Sequence, residues 1–278
     1  AKQFVEAFDE VSTTSGAAVS DSSGLLNTNM YLFIGKVTGW SDDANPPSPT
    51  DSVANTHYEN WRDMIAAKKI TSSDVSFVVP RRNWTTGTTY DIYRHDYEEF
   101  VTGSTSTRVT SNSGATTLFD STFYVVTTDR NVYKCLDNDG NTASTVEPTG
   151  TSTSVITTGD NYKWKYMYTL SASQQANFLS TDFMGVSTNS TVSSAAVDGA
   201  LDIVKIKTAG SSYTVSGGGT SGTITAVPIR GDGTGGICSV TLTSGAVTAV
   251  AVTTRGSGYT TGYIRNADII GGTGAGGA

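Results

Sequence analysis

Histidine, cysteine and charge are the scarce materials of this chain. Two histidines and two cysteines among 278 residues leave little from which to build a metal centre, a nucleophile relay or a disulfide framework. Cys135 and Cys238 stand about a hundred residues apart, which suits neither a disulfide scaffold nor a paired metal-ligand spacing, and a reducing compartment is the simpler reading. Charged residues make up 15% of the chain, with no long run of Lys or Arg and a formal net charge of −7. That balance argues against a general nucleic-acid or anionic-membrane binder, since either needs a basic footprint. No apolar run approaches the roughly 20 residues of a membrane span. The N-terminus lacks the basic-then-apolar order of a signal peptide, so folding in a cytoplasm is expected.

What the chain has in quantity is Ser and Thr, more than a quarter of all residues, together with 30 Gly and 13 Tyr. That mixture favours β-strands joined by tight turns. Residues 1–24 read as an N-terminal arm, 25–200 as a core domain and 201–278 as a Gly/Thr-rich β-repeat module. The fold class expected is mainly β with a few short helices, an α+β core that is β-sandwich-like.

In the core, Tyr31-Leu32-Phe33-Ile34 is a continuous apolar run suited to a strand buried on both faces. Trp40 and the loop from Ser41 to Asp51, with Pro46, Pro47 and Pro49, cannot form a regular ladder. Thr56 and Glu59 form a capping-box pattern near His57. Tyr58, Trp61, Met64 and Ile65 then recur at helical spacing, so a helix is expected until the polar run from Thr71 to Asp74. The period changes to two over Val75, Phe77 and Val79, a strand that Pro80 must end. Thr88 to Tyr93 reads as a further strand, and Phe100 to Leu118 as a hairpin or loop. Thr122 to Thr128 and Val132 to Leu136 flank Asp129-Arg130-Asn131, the length of a hairpin turn. Val155-Ile156 is a short strand. Trp164, Tyr166, Tyr168 and Leu170 alternate with Lys163, Lys165, Met167 and Thr169, which marks a half-buried strand with an aromatic inner face. Ser171 and Gln174 open a short helix.

From Leu201 the character changes. The segment from Val204 to Thr214, VKIKTAGSSYT, recurs as VAVTTRGSGYT from Val250 to Thr260, a period of 46 residues. Gly231 to Gly236 is echoed more weakly by Gly271 to Gly276. Such repetition suggests stacked β units with glycine turns. The chain stops inside the second copy, so a longer native protein is expected; an intact native mass close to 29.0 kDa would refute this.

Chemistry-bearing patterns are few, and each has a plainer reading. His95-Asp96-Tyr97-Glu98-Glu99 could offer metal ligands, but neighbouring residues on a strand face opposite ways and a solvated loop is the better reading. His57 belongs to a helix cap. No Gly-x-Ser-x-Gly elbow is present. Asp137-Asn138-Asp139-Gly140-Asn141 resembles the start of a calcium loop with Glu147 at the closing distance, yet Asn and Asp before Gly are turn chemistry. Gly231 to Gly236 is followed by no Gly-Lys-Ser/Thr and is structural. Asn83-Trp84-Thr85 and Asn189-Ser190-Thr191 match a glycosylation sequon, a pattern common by chance in such a chain. Arg81, Arg82 and Trp84 form a small basic and aromatic patch of the kind enriched at protein interfaces. No catalytic, cofactor or metal residues are assigned. The candidate protein interface is Trp40, Pro46, Pro47, Arg81, Arg82 and Trp84.

Several ordered motifs between Leu25 and Leu179 resemble the gene-8 type baseplate wedge subunit of contractile-tailed, T-even-like bacteriophages. They are the apolar strand with Gly35-Lys36 and Trp40, the Pro46-Pro47 loop, Trp61-Arg62-Asp63-Met64-Ile65-Ala66, Val79-Pro80-Arg81 with Trp84, Asn131-Val132-Tyr133-Lys134-Cys135-Leu136, Pro148-Thr149-Gly150-Thr151-Ser152 and Tyr162-Lys163-Trp164-Lys165-Tyr166-Met167-Tyr168. The resemblance implies a non-enzymatic structural subunit without cofactor. It implies a homodimer that touches other wedge proteins, binds neither nucleic acid nor membrane, and sits in the virion tail baseplate after assembly in the host cytoplasm. A carbohydrate- or receptor-binding tail adhesin, using exposed Tyr and Trp and the β repeats to hold sugars, is the alternative of a different class. A β-rich glycoside hydrolase is weaker, because no carboxylate pair can be placed at catalytic separation from sequence.

Overall fold

The structure, a computed structural model, describes residues 30–35, 41–42, 44–46, 48, 63–70, 74–94, 111–206 and 208–269. It is mainly β, as composition and turn density suggest. Two compact units divide the chain: residues 1–79 with 172–186, and residues 80–171 with 187–278.

In the first unit, β1 (Met30–Gly35) pairs antiparallel with β2 (Met64–Ile70). The helix expected across Met64, Ile65 and Lys68 is therefore corrected: these residues are strand. Helical spacing and propensity are weak priors, and Met64–Ile70 finds its backbone partners in an apolar strand instead. The expected helix start from Thr56 to Trp61 lies outside the described residues. Tyr31 to Ile34 is a strand as expected, but its burial is not: Tyr31, Leu32, Phe33 and Ile34 are 62%, 59%, 47% and 61% exposed. The two-residue alternation from Val75 yields only β3 (Val78–Pro80), which ends at the proline. It pairs with β8 (Phe183–Gly185), and Val186 N donates to Phe77 O at 2.8 Å beside it. Between β3 and β8 in sequence comes α1 (Ala172–Phe178), the short helix expected after Ser171. Gly185 lets α1 pack closely, since a Cβ there would lie 3.3 Å from Phe178 and require a small shift.

The second unit is built on a four-stranded antiparallel sheet in the order β4, β5, β7, β6: β4 (Tyr124–Val126), β5 (Asn131–Asp137), β6 (Ile156–Thr157) and β7 (Lys163–Thr169). The β4–β5 hairpin turns through Arg130 at φ 63°, closed by Arg130 N donating to Thr127 O at 3.0 Å. The alternation on β7 is realised: Trp164, Tyr166 and Tyr168 are buried while Lys163, Lys165 and Met167 are half-buried. Trp164 stacks on Tyr162 with ring centroids 5.5 Å apart and meets Tyr90 edge-on at 5.6 Å. Tyr133 and Cys135 complete this core, and burial pushes the Cys135 thiol far above its usual range. The strand expected over Thr88 to Tyr93 is not one. It contributes a single bridge, Thr88 to Ser144, and crosses the sheet as an extended segment with Tyr90 and Asp91 buried. A second helix, α2 (Ser190–Ala195), is capped by Asn189, whose side chain accepts from Val192 N at 3.0 Å. The apparent sequon is thus a helix cap.

Beyond α2 a three-stranded antiparallel sheet runs in the order β12, β11, β9, from β9 (Gly222–Pro228), β11 (Thr234–Thr243) and β12 (Ala246–Ser257). Its own core includes Tyr213, Ile224, Val240, Leu242 and Tyr259. A two-stranded piece joins β10 (Arg230–Gly231) to β13 (Gly262–Tyr263).

Candidate assembly surface

The residues singled out by sequence divide between the two units, and several are committed within their own unit. Arg82 donates through Nη2 to Phe119 O (3.0 Å) and Asp120 O (2.8 Å), and its guanidinium lies 5.7 Å from the Tyr124 ring centroid. This arginine pins a turn to the sheet. Trp84 is half-buried against the aromatic core, with Nε1 donating to Ser144 Oγ at 3.1 Å. Arg81 is half-buried and donates from Nε to Asn83 Oδ1 at 2.9 Å. Pro46 is exposed, just after a turn in which Asp42 accepts from Ala44 N (3.0 Å) and Asn45 Nδ2 (2.7 Å). Trp40 and Pro47 lie outside the described residues.

Among the described residues, a run of exposed apolar side chains is one that sequence reading placed in the core. In the β1–β2 ribbon the antiparallel register sets Tyr31 opposite Lys69, Leu32 opposite Lys68, Phe33 opposite Ala67 and Ile34 opposite Ala66. Residues directly opposite share a face, so Tyr31 and Phe33 line one side while Leu32 and Ile34 line the other. Ile65, displaced at a register shift, is 67% exposed. Both faces of a two-stranded ribbon are thus apolar and open, although such a ribbon is marginal by itself in water. Contiguous exposed apolar surface marks an interaction site. Lys68 forms an ion pair with Asp74 at one end of the ribbon. In the same unit Phe77, Val78 and Phe183 at the β3–β8 pair are also exposed, at 44%, 47% and 47%. The signal for all of these was in the sequence, but an apolar run reads the same whether its cover comes from the same chain or from another.

The polar clusters are structural. Asp91, 1% exposed, accepts from Ser113 N (2.9 Å) and Oγ (2.6 Å), Ser121 Oγ (3.1 Å), and Thr122 N (2.8 Å) and Oγ1 (3.0 Å). Burial alone would raise its pKa, but these five donors outweigh it and hold the carboxyl below the ordinary aspartate value. Sequence reading missed this residue because its partners lie more than twenty positions away. Asp160 binds Ser144 Oγ (3.0 Å), Thr145 N (2.8 Å) and Val146 N (3.0 Å). Burial works upward there too, yet the Thr158 hydroxyl and these donors bring Asp160 down to about 2. The Asp137–Asn141 segment is a turn with Asp139, Gly140 and Asn141 all at positive φ. It does not join adjacent strands, because β7 separates β5 from β6. Its Asp137 is committed to lysines, and Glu147 accepts from Thr128 N at 2.8 Å. In the Gly231–Gly236 segment, Asp232 holds Thr260 and Thr261. The His95 cluster and His57 lie outside the described residues. Among the described residues no three His, Cys, Asp or Glu side chains gather as a metal site would require. The β7 aromatics that could have served as a sugar platform are buried.

Comparison with known proteins follows the same direction. The family model described as Bacteriophage T4, Gp8 matches residues 19–138, the stretch that contains the open ribbon. The baseplate wedge protein gp8 of Enterobacteria phage T4 is 24% identical over 185 residues, covering 60% of this chain and 55% of that protein. The chain therefore spans about half the length of this curated relative. No solved structure matches. Both matches fall on one class of protein, the baseplate protein of a phage. The chain is similar to the gene-8 type wedge subunit, the same family its motifs resemble.

Proposed function

We propose that this chain is a structural subunit of a phage tail baseplate wedge that assembles through protein–protein contacts. Its partners are other wedge proteins and a second copy of itself, and it takes part in the rearrangement of the baseplate on contraction. It performs no catalysis, works in the virion tail baseplate and is assembled in the host cytoplasm. The observation that carries the reading is the β1–β2 ribbon, apolar and open on both faces within the stretch that matches the family. A partner that covers Leu32 and Ile34 on one side or Tyr31 and Phe33 on the other removes apolar surface from water, worth roughly 25 cal/mol per Å². Trp40, Pro46 and Pro47 are further proposed contacts, and so, separately on the other unit, are the half-buried Arg81, Arg82 and Trp84 through the surface their own unit leaves open.

Co-expression with the neighbouring tail proteins, followed by size analysis and imaging, tests the reading. The full chain is expected in a wedge-like complex, and Leu32→Asp with Ile34→Asp is expected to leave it. A stable lone monomer from the unaltered chain in the presence of those partners would sink the proposal.

A further inference from the structure

The two copies of the 46-residue repeat share one local structure and differ in another. Gly210 and Gly256 both take φ 63°, and a Cβ at either would strike the ring of the tyrosine three residues on, 2.5 Å from Tyr213 and 2.7 Å from Tyr259. Upstream of these turns the copies part. Residues 250–254 of the second copy run inside β12. Of the corresponding residues of the first, 204–206 and 208 are not in a strand, although the segment lies antiparallel to β12 and is tied to it at both ends. Leu201 N donates to Arg255 O at 2.9 Å, and Val247 N to Ala209 O at 2.9 Å. Between these anchors no backbone hydrogen bond joins 203–206 to 249–253 among the described residues. The separation leaves an apolar cavity of about 120 Å³, lined by Val204, Ile206, Val250 and Tyr263 among others, and a polar cleft of about 490 Å³ bounded by Asp137, Lys163, Lys205 and Ala249 among others.

Two ion pairs, Lys205–Asp137 and Asp202–Lys165, reach from this segment to the four-stranded sheet. Lys205 Nζ lies 2.6 Å from Asp137 Oδ1, at the end of β5, and Lys163 on β7 reaches the same carboxylate at 3.6 Å. Asp202 Oδ1 sits between Lys165 Nζ on β7, at 3.1 Å, and Arg255 Nε, at 2.9 Å. Each carboxylate thus holds one cation from the four-stranded sheet and one from the C-terminal module. The second copy carries Thr248 and Ala251 where the first has Asp202 and Lys205, so it lacks the two charges that reach the four-stranded sheet.

We infer that residues 202–206 form a strap with two positions. In one, the ion pairs hold it against the four-stranded sheet; in the other, it zips onto the edge of β12 as a fourth strand. Zipping adds ladder hydrogen bonds and lets Val204 and Ile206 fill the apolar cavity. These gains are insensitive to salt, whereas partly exposed ion pairs weaken as salt screens them. The strap thereby couples attachment of the module to completion of its own sheet. This inference does not rest on the assembly reading.

Amide hydrogen exchange on the full chain, read by mass spectrometry, tests it. The peptide covering 203–206, and in the 249–253 peptide the amides that do not face β11, exchange fast at low salt and slow about tenfold near 1 M NaCl, while the β11 peptide covering 237–241 stays protected throughout. The variant Lys205→Gln with Asp202→Asn shows the same slowing at low salt. Two results overturn the strap: rates that respond to neither salt nor substitution, or protection of 203–206 at low salt already equal to that of β11. The register shifts that β12 shows against β11 could impose the gap alone, and they predict the first of these. If the variant loses β11 protection, the salt series on the unaltered chain decides.

Discussion

Two antiparallel ladders in this molecule have similar length and apolar content and opposite fates. In the β5–β7 ladder Tyr133 and Trp164 are fully buried, while in the β1–β2 ladder Leu32 and Ile34 are about as exposed as a surface residue. The difference lies in patterning and in what stands behind each ladder. On β7, aromatics alternate with lysine and methionine, so one face is declared inner; two further strands flank the ladder, and Tyr90 and Tyr162 pack into its core. On β1 the apolar run is continuous, both faces are apolar, and among the described residues β2 is its one paired strand. Apolar content alone therefore sets a demand for cover without saying which molecule supplies it.

Substitutions can break or sharpen that contrast. The largest effect is expected at Trp164→Ala, which empties the centre of the aromatic core and costs about 4 kcal/mol in denaturant unfolding. An unchanged midpoint would mean that this core is not what holds the second unit. Asp91→Ala follows at about 3 kcal/mol, because five donors lose a buried acceptor. Exchange at the Ser113 and Thr122 amides should rise with it. Gly256→Ala should cost about 2 kcal/mol, since φ is positive and the Cβ would lie 2.5 Å from Thr234 O. At Gly114, where φ is also positive but nothing lies within 4 Å, the same change should cost about 1 kcal/mol.

A smaller effect is expected in acid. The Asp160 carboxyl is held at about 2 against 3.8 for the ordinary group, so its contribution is complete above the ordinary value. That contribution is lost as pH falls from there through about 2. Thermal melts of Asp160→Asn should lack that part of the acid loss. The smallest effect belongs to the ribbon: Leu32→Asp with Ile34→Asp should move the stability of the isolated chain by no more than about 0.5 kcal/mol. A large loss would show that the ribbon is covered by its own chain.

Local signals that carry their own partners were legible. The Lys/aromatic alternation of β7, the Asp129–Asn131 turn and the helix after Ser171 each depend on neighbours within a few residues, and each formed. Met64–Ile70 was misread because its spacing fits a helix while its partner, β1, lies some thirty residues upstream. Asp91 gave no signal because its donors arrive from Ser113, Ser121 and Thr122. Of the predicted contact residues, Arg82 and Trp84 turned out to hold their own unit together, and the open ribbon had been assigned to the core.

By itself the sequence determined the β-rich class, the turn positions, the two-copy repeat and the family resemblance, all of which rest on composition, short-range geometry or order along the chain. Only tertiary structure decided which apolar strand is buried, which carboxylates are held by distant donors and why one repeat copy joins its sheet while the other stands off. Those outcomes depend on pairings between residues far apart in sequence, and on competition between ion pairs and ladder bonds that no local pattern encodes.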